Sequence, residues 1–309
     1  MSDATVLINI VLYNPDRDKV LELIRICSKY QSAKILLFDN ASNSECLENI
    51  NSDHIILFNS PRNVGVAGAH HYACKMAERE NSDFVLFLDQ DTQLPEEFIH
   101  NIISEFYQLQ KLHARLIAVG PTWIDPRTYN WYQERRERIS LRNSLRNLLK
   151  ITEKKKKIHN LLRLDNIIIS SGMLIRVDAF KEIGYPEKHY FIDLVDIEWC
   201  LRALSKNYHI EMLKNIKIRH TIGEVKKNKN SVLHYQKPLR YYYSIRNSFL
   251  LFGEKQYPFN FRIFILIRNI LEIKKIPFVP ESKKSLIAAL HGLKDGFLSR
   301  KGVYLETFK

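Results

Sequence analysis

The chain has 309 residues, 45% of them hydrophobic, with ten Gly and ten Pro. That suits one large α/β domain, or one domain with a smaller appendage, and excludes a low-complexity protein. The net charge of +13 is unevenly placed, so two basic segments flank an acidic body. From Arg135 to Arg163 there are 11 Lys and Arg against 2 Asp and Glu, and from Val225 to Lys309 there are 17 against 5. Basic segments seek anions, whether nucleic acid, anionic lipid or a phosphorylated substrate. An acidic body that handles phosphates wants a divalent cation.

Four cysteines, Cys27, Cys46, Cys74 and Cys200, are scattered without a C-x-x-C pair. They support neither a zinc site nor a disulfide framework, and buried free thiols in a reducing compartment are expected. MSDATVLINIVLYNPD has no basic segment ahead of its short apolar run, which argues against a signal peptide. No stretch approaches 18 uninterrupted apolar residues, so no transmembrane helix is expected. The expectation is a cytoplasmic protein, soluble or peripheral on the inner face of the cell membrane.

In chain order, Thr5 to Leu12 is a β-branched run of strand length. Asp16 to Tyr30 has helical spacing, with apolar Val20, Leu21, Leu23, Ile24 and Ile26. Lys34 to Phe38 is a second strand and stops at Asp39-Asn40-Ala41-Ser42. His54 to Phe58 is a third. Gly65 to Arg79 reads as helix, Phe84 to Leu88 as a fourth strand stopped by Asp89-Gln90-Asp91, and Pro95 opens another helix. Leu116 to Val119 is a fifth strand. From Pro121 to about Leu164 the pattern is aromatic, basic and irregular, an insertion in the expected fold. Asn166 to Val177 resumes as strand, Leu194 to Ser205 as helix, and Ile210 to Arg219 includes strand. His234 to Phe252 reads as a long aromatic helix, and two amphipathic helices follow Pro258. Short buried strands alternating with helices indicate a mostly parallel sheet covered on both faces. Ligands bind such sheets beyond the carboxyl ends of the strands. Asp39, Asn63, Asp89 and Asp91 all lie there.

Asp89 and Asp91, one residue apart past a buried strand, can hold one hard divalent cation that completes its shell with substrate phosphates. Turn chemistry alone also favours Asp at such a place. Asp39 can accept hydrogen bonds from a nucleobase or ribose, or can cap a turn. Asn63-Val64-Gly65-Val66-Ala67-Gly68-Ala69 is not G-x-G-x-x-G, which disfavours a dinucleotide site. Its small residues permit either close approach to a nucleotide or a tightly packed helix start. In FIDLVDIEWCLR, three acids fall in six residues among bulky apolar groups, a setting that raises carboxyl pKa values and suits proton transfer. Glu198 and Arg202 are i, i+4 partners. That leaves Asp196, with Asp193 as the alternative, for a general base. His220, in RHTIGE after a strand, is a plausible third metal ligand. In the aromatic and basic run from Arg240 to Asn247, Arg246 can clamp a diphosphate.

Taken in order, VLYNP, FDNAS, NVGVAGA, FLDQDT, SSGMLIR, FIDLVDIEWCLR, RHTIGE and YYYSIRNS resemble the family-two glycosyltransferases of the GT-A fold. More narrowly they resemble bacterial rhamnosyltransferases that build cell-surface polysaccharides. The resemblance runs from about residue 5 to 250. It implies a GT-A, Rossmann-like catalytic domain over residues 1–253, with a basic insertion or mobile region at 121–165. It also implies an inverting enzyme that uses Mn2+ or Mg2+ and a nucleotide-diphosphate sugar, dTDP-rhamnose by preference. A UDP-sugar donor (galactofuranose, glucose or galactose) is the alternative. Asp39 would contact the base or ribose, Asn63 and Gly65 would belong to the donor site, Asp89 and Asp91 would form the D-x-D motif, His220 would ligate the metal, Arg246 would reach the diphosphate, and Asp196 would be the base. Two departures stand out. His70-His71 occupies the place where the family commonly has an asparagine, and Val195 precedes Asp196 where the family usually has a contiguous acidic pair.

The expected acceptor is a lipid-linked saccharide in polysaccharide or O-antigen synthesis. Residues 254–309 form a basic helical region in which PFNFRIFILIRNILEIKKI mixes bulky apolar residues with Arg262, Arg268, Lys274 and Lys275. Such a segment suits a membrane interface, or contact with a second subunit in a homo-oligomer. The charge permits nucleic-acid binding, but no zinc-finger or RNP pattern is present, so no nucleic-acid partner is expected. A nucleotidyltransferase would carry a glycine-rich basic signature near the start, and VLYNPDRDK lacks one.

Overall fold

The computed structural model describes residues 3–43, 52–127, 167–221, 223–228 and 231–304. Cys46 and the basic insertion from residue 128 onward lie outside the described residues. Seven strands form one sheet: β1 (Val6–Leu12), β2 (Ala33–Asp39), β3 (Ile55–Asn59), β4 (Phe84–Asp89), β5 (Leu116–Ile124), β6 (Met173–Arg176) and β7 (His209–Arg219). Their order is β3-β2-β1-β4-β6-β5-β7. β1 pairs parallel to β2 and β4, β2 to β3, and β5 to β7. Only β6 runs antiparallel, between β4 and β5. The strand expected over 166–177 is therefore shorter. Its entry is set by Gly172, at φ 85°, where a Cβ would fall 2.6 Å from the Pro121 ring.

Every residue of β1 is buried because the strand is central and covered on both faces. One face packs under α1 (Arg17–Cys27) and α3 (Phe98–Leu112). The other packs under α2 (Gly65–Arg79) and α4 (Val195–Ser205). Small residues let α2 lie close to the sheet, with Ala67, Gly68, Ala69, Ala73, Cys74 and Ala77 all buried. Cys27, Cys74 and Cys200 are buried free thiols. α3 starts three residues after Pro95, whose carbonyl accepts from Phe98 N–H at 3.1 Å.

The helix expected from His234 starts later. His234 belongs to β9 (Ser231–Tyr235), which pairs antiparallel with β8 (Glu224–Asn228). Pro238 then opens α5 (Pro238–Gly253), because proline disfavours helix at the preceding residue and fits a first turn. α6 (Phe259–Leu271) and α7 (Ser282–Phe297) pack on α5. The α7 face toward α5 is small: Ser285, Ala288, Ala289, Gly292 and Gly296 are buried. A Cβ on Gly292 would fall 2.7 Å from the Tyr242 carbonyl oxygen. The remaining faces leave Phe264, Ile267, Leu271, Leu286, Ile287, Leu290 and Phe297 exposed. Among the described residues no helix is long and apolar enough to cross a membrane.

Candidate active site

Asp89 is the last residue of β4, and Asp91 follows in the turn beyond it. The turn is tied down on both sides. Gln90 accepts from Tyr13 N–H at 2.8 Å and donates to the Tyr13 carbonyl at 3.2 Å, joining it to the end of β1. Gln93 and Arg219 exchange backbone hydrogen bonds of 2.9 and 3.1 Å. This bridge carries the end of β7 alongside and delivers His220, whose N–H bonds the Ile124 carbonyl at 3.1 Å. His220 Nε2 lies 3.4 Å from Asp89 Oδ2, and Nδ1 lies 3.4 Å from Asp91 Oδ1. Thr221 Oγ1 donates to Asp91 Oδ2 at 2.6 Å.

One ligand atom from each of Asp89, Asp91 and His220 falls within 4.8 Å of the others. Two carboxylate oxygens and one imidazole nitrogen fit a hard or borderline divalent cation. The charges already respond to one another. Burial raises the Asp89 pKa, with the His220 charge opposing. Burial also pushes Asp91 upward, but hydrogen bonds from His220 and Thr221 overcome it and leave the group below its usual range. His220 is pushed down by burial, yet its bond to Asp91 and the two carboxylate charges leave it above 6.5.

The second half of the site is the turn before α4. Phe191, Asp193 and Leu194 have φ of 63°, 65° and 62°, a left-handed conformation that costs about 1–3 kcal/mol per non-glycine residue unless its surroundings fix it. Buried Asn247 supplies the fixing: its Nδ2 donates to the carbonyls of Tyr190, Ile192 and Asp193 at 3.0, 2.7 and 2.8 Å. Asp193 is thereby held in an ion pair with Arg240. Asp196, in the first turn of α4, accepts from Ser170 N–H at 3.0 Å and from Ile197 N–H at 2.8 Å. Burial raises its pKa against these two bonds, and the Asp193 charge adds to the rise. The Arg240 pKa is raised first by Asp193 and also by Asp89 and Asp196, so one guanidinium balances both acidic groups. Glu198 does not join them. Arg202 holds it through bonds of 3.0 and 2.7 Å, and Tyr257 Oη donates to it at 2.6 Å.

The structure separates other residues singled out in the sequence. Arg246 is fully buried, and its guanidinium donates to the carbonyls of Arg300, Gly302 and Tyr190 at 3.2, 3.2 and 3.3 Å. It fastens the C-terminal segment to α5 and has no open side for a diphosphate; Arg240 is the arginine beside the acids. Gly65 has φ 70°, and a Cβ there would fall 2.2 Å from the Phe191 carbonyl oxygen. Close packing against the turn before α4 accounts for this glycine, which is the tightly packed helix start of the two readings its sequence allowed. Asp39 ends β2 and folds onto Ser42, accepting from its backbone N–H at 3.3 Å and from its hydroxyl. Asn63 Oδ1 accepts from Gly65 N–H at 2.9 Å. Gln90, Thr221, Arg240 and Asn247 were not assigned to the site from sequence. Their proximity to the acids follows from pairings across the fold.

A D-x-D turn at the carboxyl end of a parallel strand, with a histidine beside it as a candidate third cation ligand and a half-buried carboxylate in the first turn of α4, suits a nucleotide-sugar glycosyltransferase. The chain belongs to the family described as Glycosyl transferase family 2, whose profile matches residues 8–184. It is similar to the dTDP-rhamnosyl transferase RfbF of Shigella flexneri, at 29% identity over 300 residues, covering 92% of this chain and 94% of that protein. It is also similar to the low-salt glycan biosynthesis hexosyltransferase Agl10 of Haloferax volcanii, at 27% identity over 186 residues, 58% of this chain and 55% of that one. Among solved structures, S. aureus TarS 1-349 in complex with UDP-GlcNAc superposes with a TM-score of 0.54 at 16% identity, covering 94% of this chain and 81% of that one. That likeness is one of fold.

If His220 is a cation ligand, cation binding and protonation compete there. Its pKa is raised in the fold, so without a cation its pairing with the carboxylates stabilises fully below about pH 6.5 and is lost as pH rises through the folded value. A cation bound there would take over from the proton as pH rises. Thermal melts from about pH 6 to 8 should show the stabilisation by Mn2+ growing with pH, and His220→Ala should flatten that growth. A Mn2+ effect equal at both ends, or unaltered in the variant, would remove His220 from the cation site.

Proposed function

We propose that the protein transfers L-rhamnose from dTDP-rhamnose to a lipid-linked saccharide in the assembly of a cell-surface polysaccharide, inverting the anomeric configuration. The observation that carries the chemistry is the convergence of Asp89, Asp91 and His220 on a site whose guanidinium, Arg240, also faces Asp193 and Asp196. The rhamnose assignment rests on similarity along almost the whole chain to a dTDP-rhamnosyl transferase.

Asp89, Asp91 and His220 would hold Mn2+ or Mg2+. When bound, the cation offsets the charge of the donor diphosphate and makes it a better leaving group. Arg240 adds a fixed positive charge on the same side and takes the role first assigned to Arg246. Asp39, at the end of β2, accepts from the base or ribose, and Asn63 shapes the adjoining loop. Asp196 removes the proton from an acceptor hydroxyl as that oxygen attacks the anomeric carbon opposite the departing diphosphate. The oxygen–carbon bond forms as the bond to the diphosphate breaks, so one displacement inverts the centre and needs no protein nucleophile. The two backbone N–H bonds to Asp196 keep its oxygens directed. Asp193, committed to Arg240, holds the turn and is the lesser choice of base.

The C-terminal helices bring the enzyme to its acceptor at a membrane surface. α6 and α7 expose Phe264, Ile267, Leu271, Leu286, Leu290 and Phe297 within a segment rich in Lys and Arg. Exposed apolar side chains in a basic segment suit an anionic interface.

Calorimetric titration with dTDP-rhamnose, UDP-glucose and UDP-galactose, with Mn2+ and then with chelator, tests the donor. Metal-dependent binding that prefers the dTDP sugar and weakens at least tenfold in Asp91→Ala is expected. Preference for a UDP sugar would replace the rhamnose assignment, and binding indifferent to chelator would remove the cation. Sedimentation with vesicles tests the surface. Anionic vesicles should bind the protein in a salt-sensitive manner, and Leu290→Asp with Phe297→Asp should abolish binding. Retention of vesicle binding by that double variant would move the contact elsewhere.

A further inference from the structure

Asp125 and Arg127 take part in none of the steps above, yet they stand at the edge of the cation cluster. β5 ends at Ile124, and the chain continues as Asp125-Pro126-Arg127. Proline has no N–H and favours a turn. The Asp125 side chain closes that turn, accepting from Arg127 N–H at 2.9 Å. The same carboxylate, on a residue only 6% exposed, accepts from Arg127 Nε at 3.0 Å and from Nη2 at 2.7 Å. This two-pronged pairing fixes the plane of the guanidinium. Nη1 reaches across and donates to the Gly223 carbonyl at 2.8 Å.

That last bond holds the residues that follow β7. β5 and β7 pair in parallel, but their register shifts between Pro121 and Thr122, where Pro121 has no N–H to give. Beyond the shift, Thr122, Trp123 and Ile124 pair with Lys217, Ile218 and Arg219, and His220 N–H bonds the Ile124 carbonyl. The Arg127 bond to Gly223 comes next. Residues 220–223 are thus fastened at both ends to β5 and its extension. Between these ties Thr221 donates to Asp91, and His220 lies against Asp89 and Asp91. Gly223, at φ 62°, is confined from the other side, because a Cβ there would fall 2.8 Å from the Tyr235 carbonyl oxygen. The guanidinium also feels the cluster. Its pKa is raised, first by the bond to Asp125 and then, against burial, by the charges of Asp125, Glu224 and Asp91.

Resting on the reading of His220 as a cation ligand, we propose that Arg127 is a positioning residue for it. Forked on Asp125, the guanidinium holds the Gly223 carbonyl and so keeps the imidazole where one of its nitrogens and the two carboxylates share an ion. Its charge is not the useful part, since a positive group beside Asp91 opposes a cation. Its fixed plane is. A lysine keeps the charge but cannot pair with both oxygens of Asp125 and bond Gly223 in one geometry. Groups that orient a metal ligand from behind are worth roughly 10–100-fold in metal affinity.

The test uses the full chain and Mn2+ alone, with the free ion read by electron paramagnetic resonance, so that donor and turnover play no part. Arg127→Lys should raise the Mn2+ Kd about tenfold, although the charge is kept. His220→Ala should also raise it. Adding Arg127→Lys to His220→Ala should raise it no further, because the arginine acts through the histidine. A wild-type Kd in Arg127→Lys, or losses that multiply in the double variant, would overturn the proposal. If Arg127→Lys does not fold, Asp125→Asn takes its place in the same comparison with the same expected pattern, since it leaves the arginine and breaks its two-pronged pairing. The two readings separate. If His220→Ala binds Mn2+ as tightly as the wild type, His220 is not a ligand and both readings fall. If it binds weakly while Arg127→Lys is unaffected, only the Arg127 proposal fails.

Discussion

The site depends on one side-chain amide. Asn247 gathers the carbonyls of Tyr190, Ile192 and Asp193 onto a single nitrogen, and so holds three left-handed residues that would otherwise relax. From that turn, the Phe191 carbonyl receives Ala67 N–H at 2.9 Å and fixes the start of α2. Asp193 is aimed at Arg240, and α4 begins where it can present Asp196. Strain of this kind persists only where the surroundings fix the backbone, and it gathers at functional sites. Here the fixing group lies on α5, a helix that also anchors the C-terminal segment through Arg246.

Electrostatics gives the same picture from the other direction. Four carboxylates converge on one region: Asp89, Asp91, Asp193 and Asp196. The positive groups that balance them come from distant elements, His220 from the end of β7 and Arg240 from α5. Neither alone neutralises the cluster, and burial holds the Asp89 and Asp196 pKa values up. A site short of positive charge is ready for a cation. The C-terminal helices beyond α5 do not supply that charge: Arg262 is taken up by the carbonyls of Tyr257 and Phe252, Lys275 by Glu272, and Arg268 and Lys274 are exposed.

Much of this was legible in the sequence because the chain marks its strand ends. The apolar runs of β2 and β4 stop at Asp39 and Asp89, and parallel strands bring such ends to one edge. Glu198 and Arg202 were readable because a helix makes residues four apart neighbours. What was not legible depends on contacts between distant segments. Arg240 and Arg246 share one helix and one composition, yet six residues of helical turn place them on different faces, and only the packed tyrosines show which is sealed. Gly65 allowed either a nucleotide loop or a tightly packed helix start, and what decides is its neighbour Phe191, more than a hundred residues later. No local pattern within Met173–Arg176 dictates that β6 runs antiparallel to β4 and β5. His234 and Tyr235 continue an aromatic run that reads as helix, while Pro238 and the hairpin pairing decide otherwise.

The central claim is that a single displacement, with Asp196 as base, occurs beside the Asp89, Asp91 and His220 cluster. The most direct measurement is the anomeric configuration of the sugar first released when the enzyme hydrolyses its donor with Mn2+, read by NMR before mutarotation. The account predicts the configuration opposite to that of the donor, with release abolished by chelator. Release with retained configuration would require a covalent intermediate or attack from the side of the leaving group, and would contradict it.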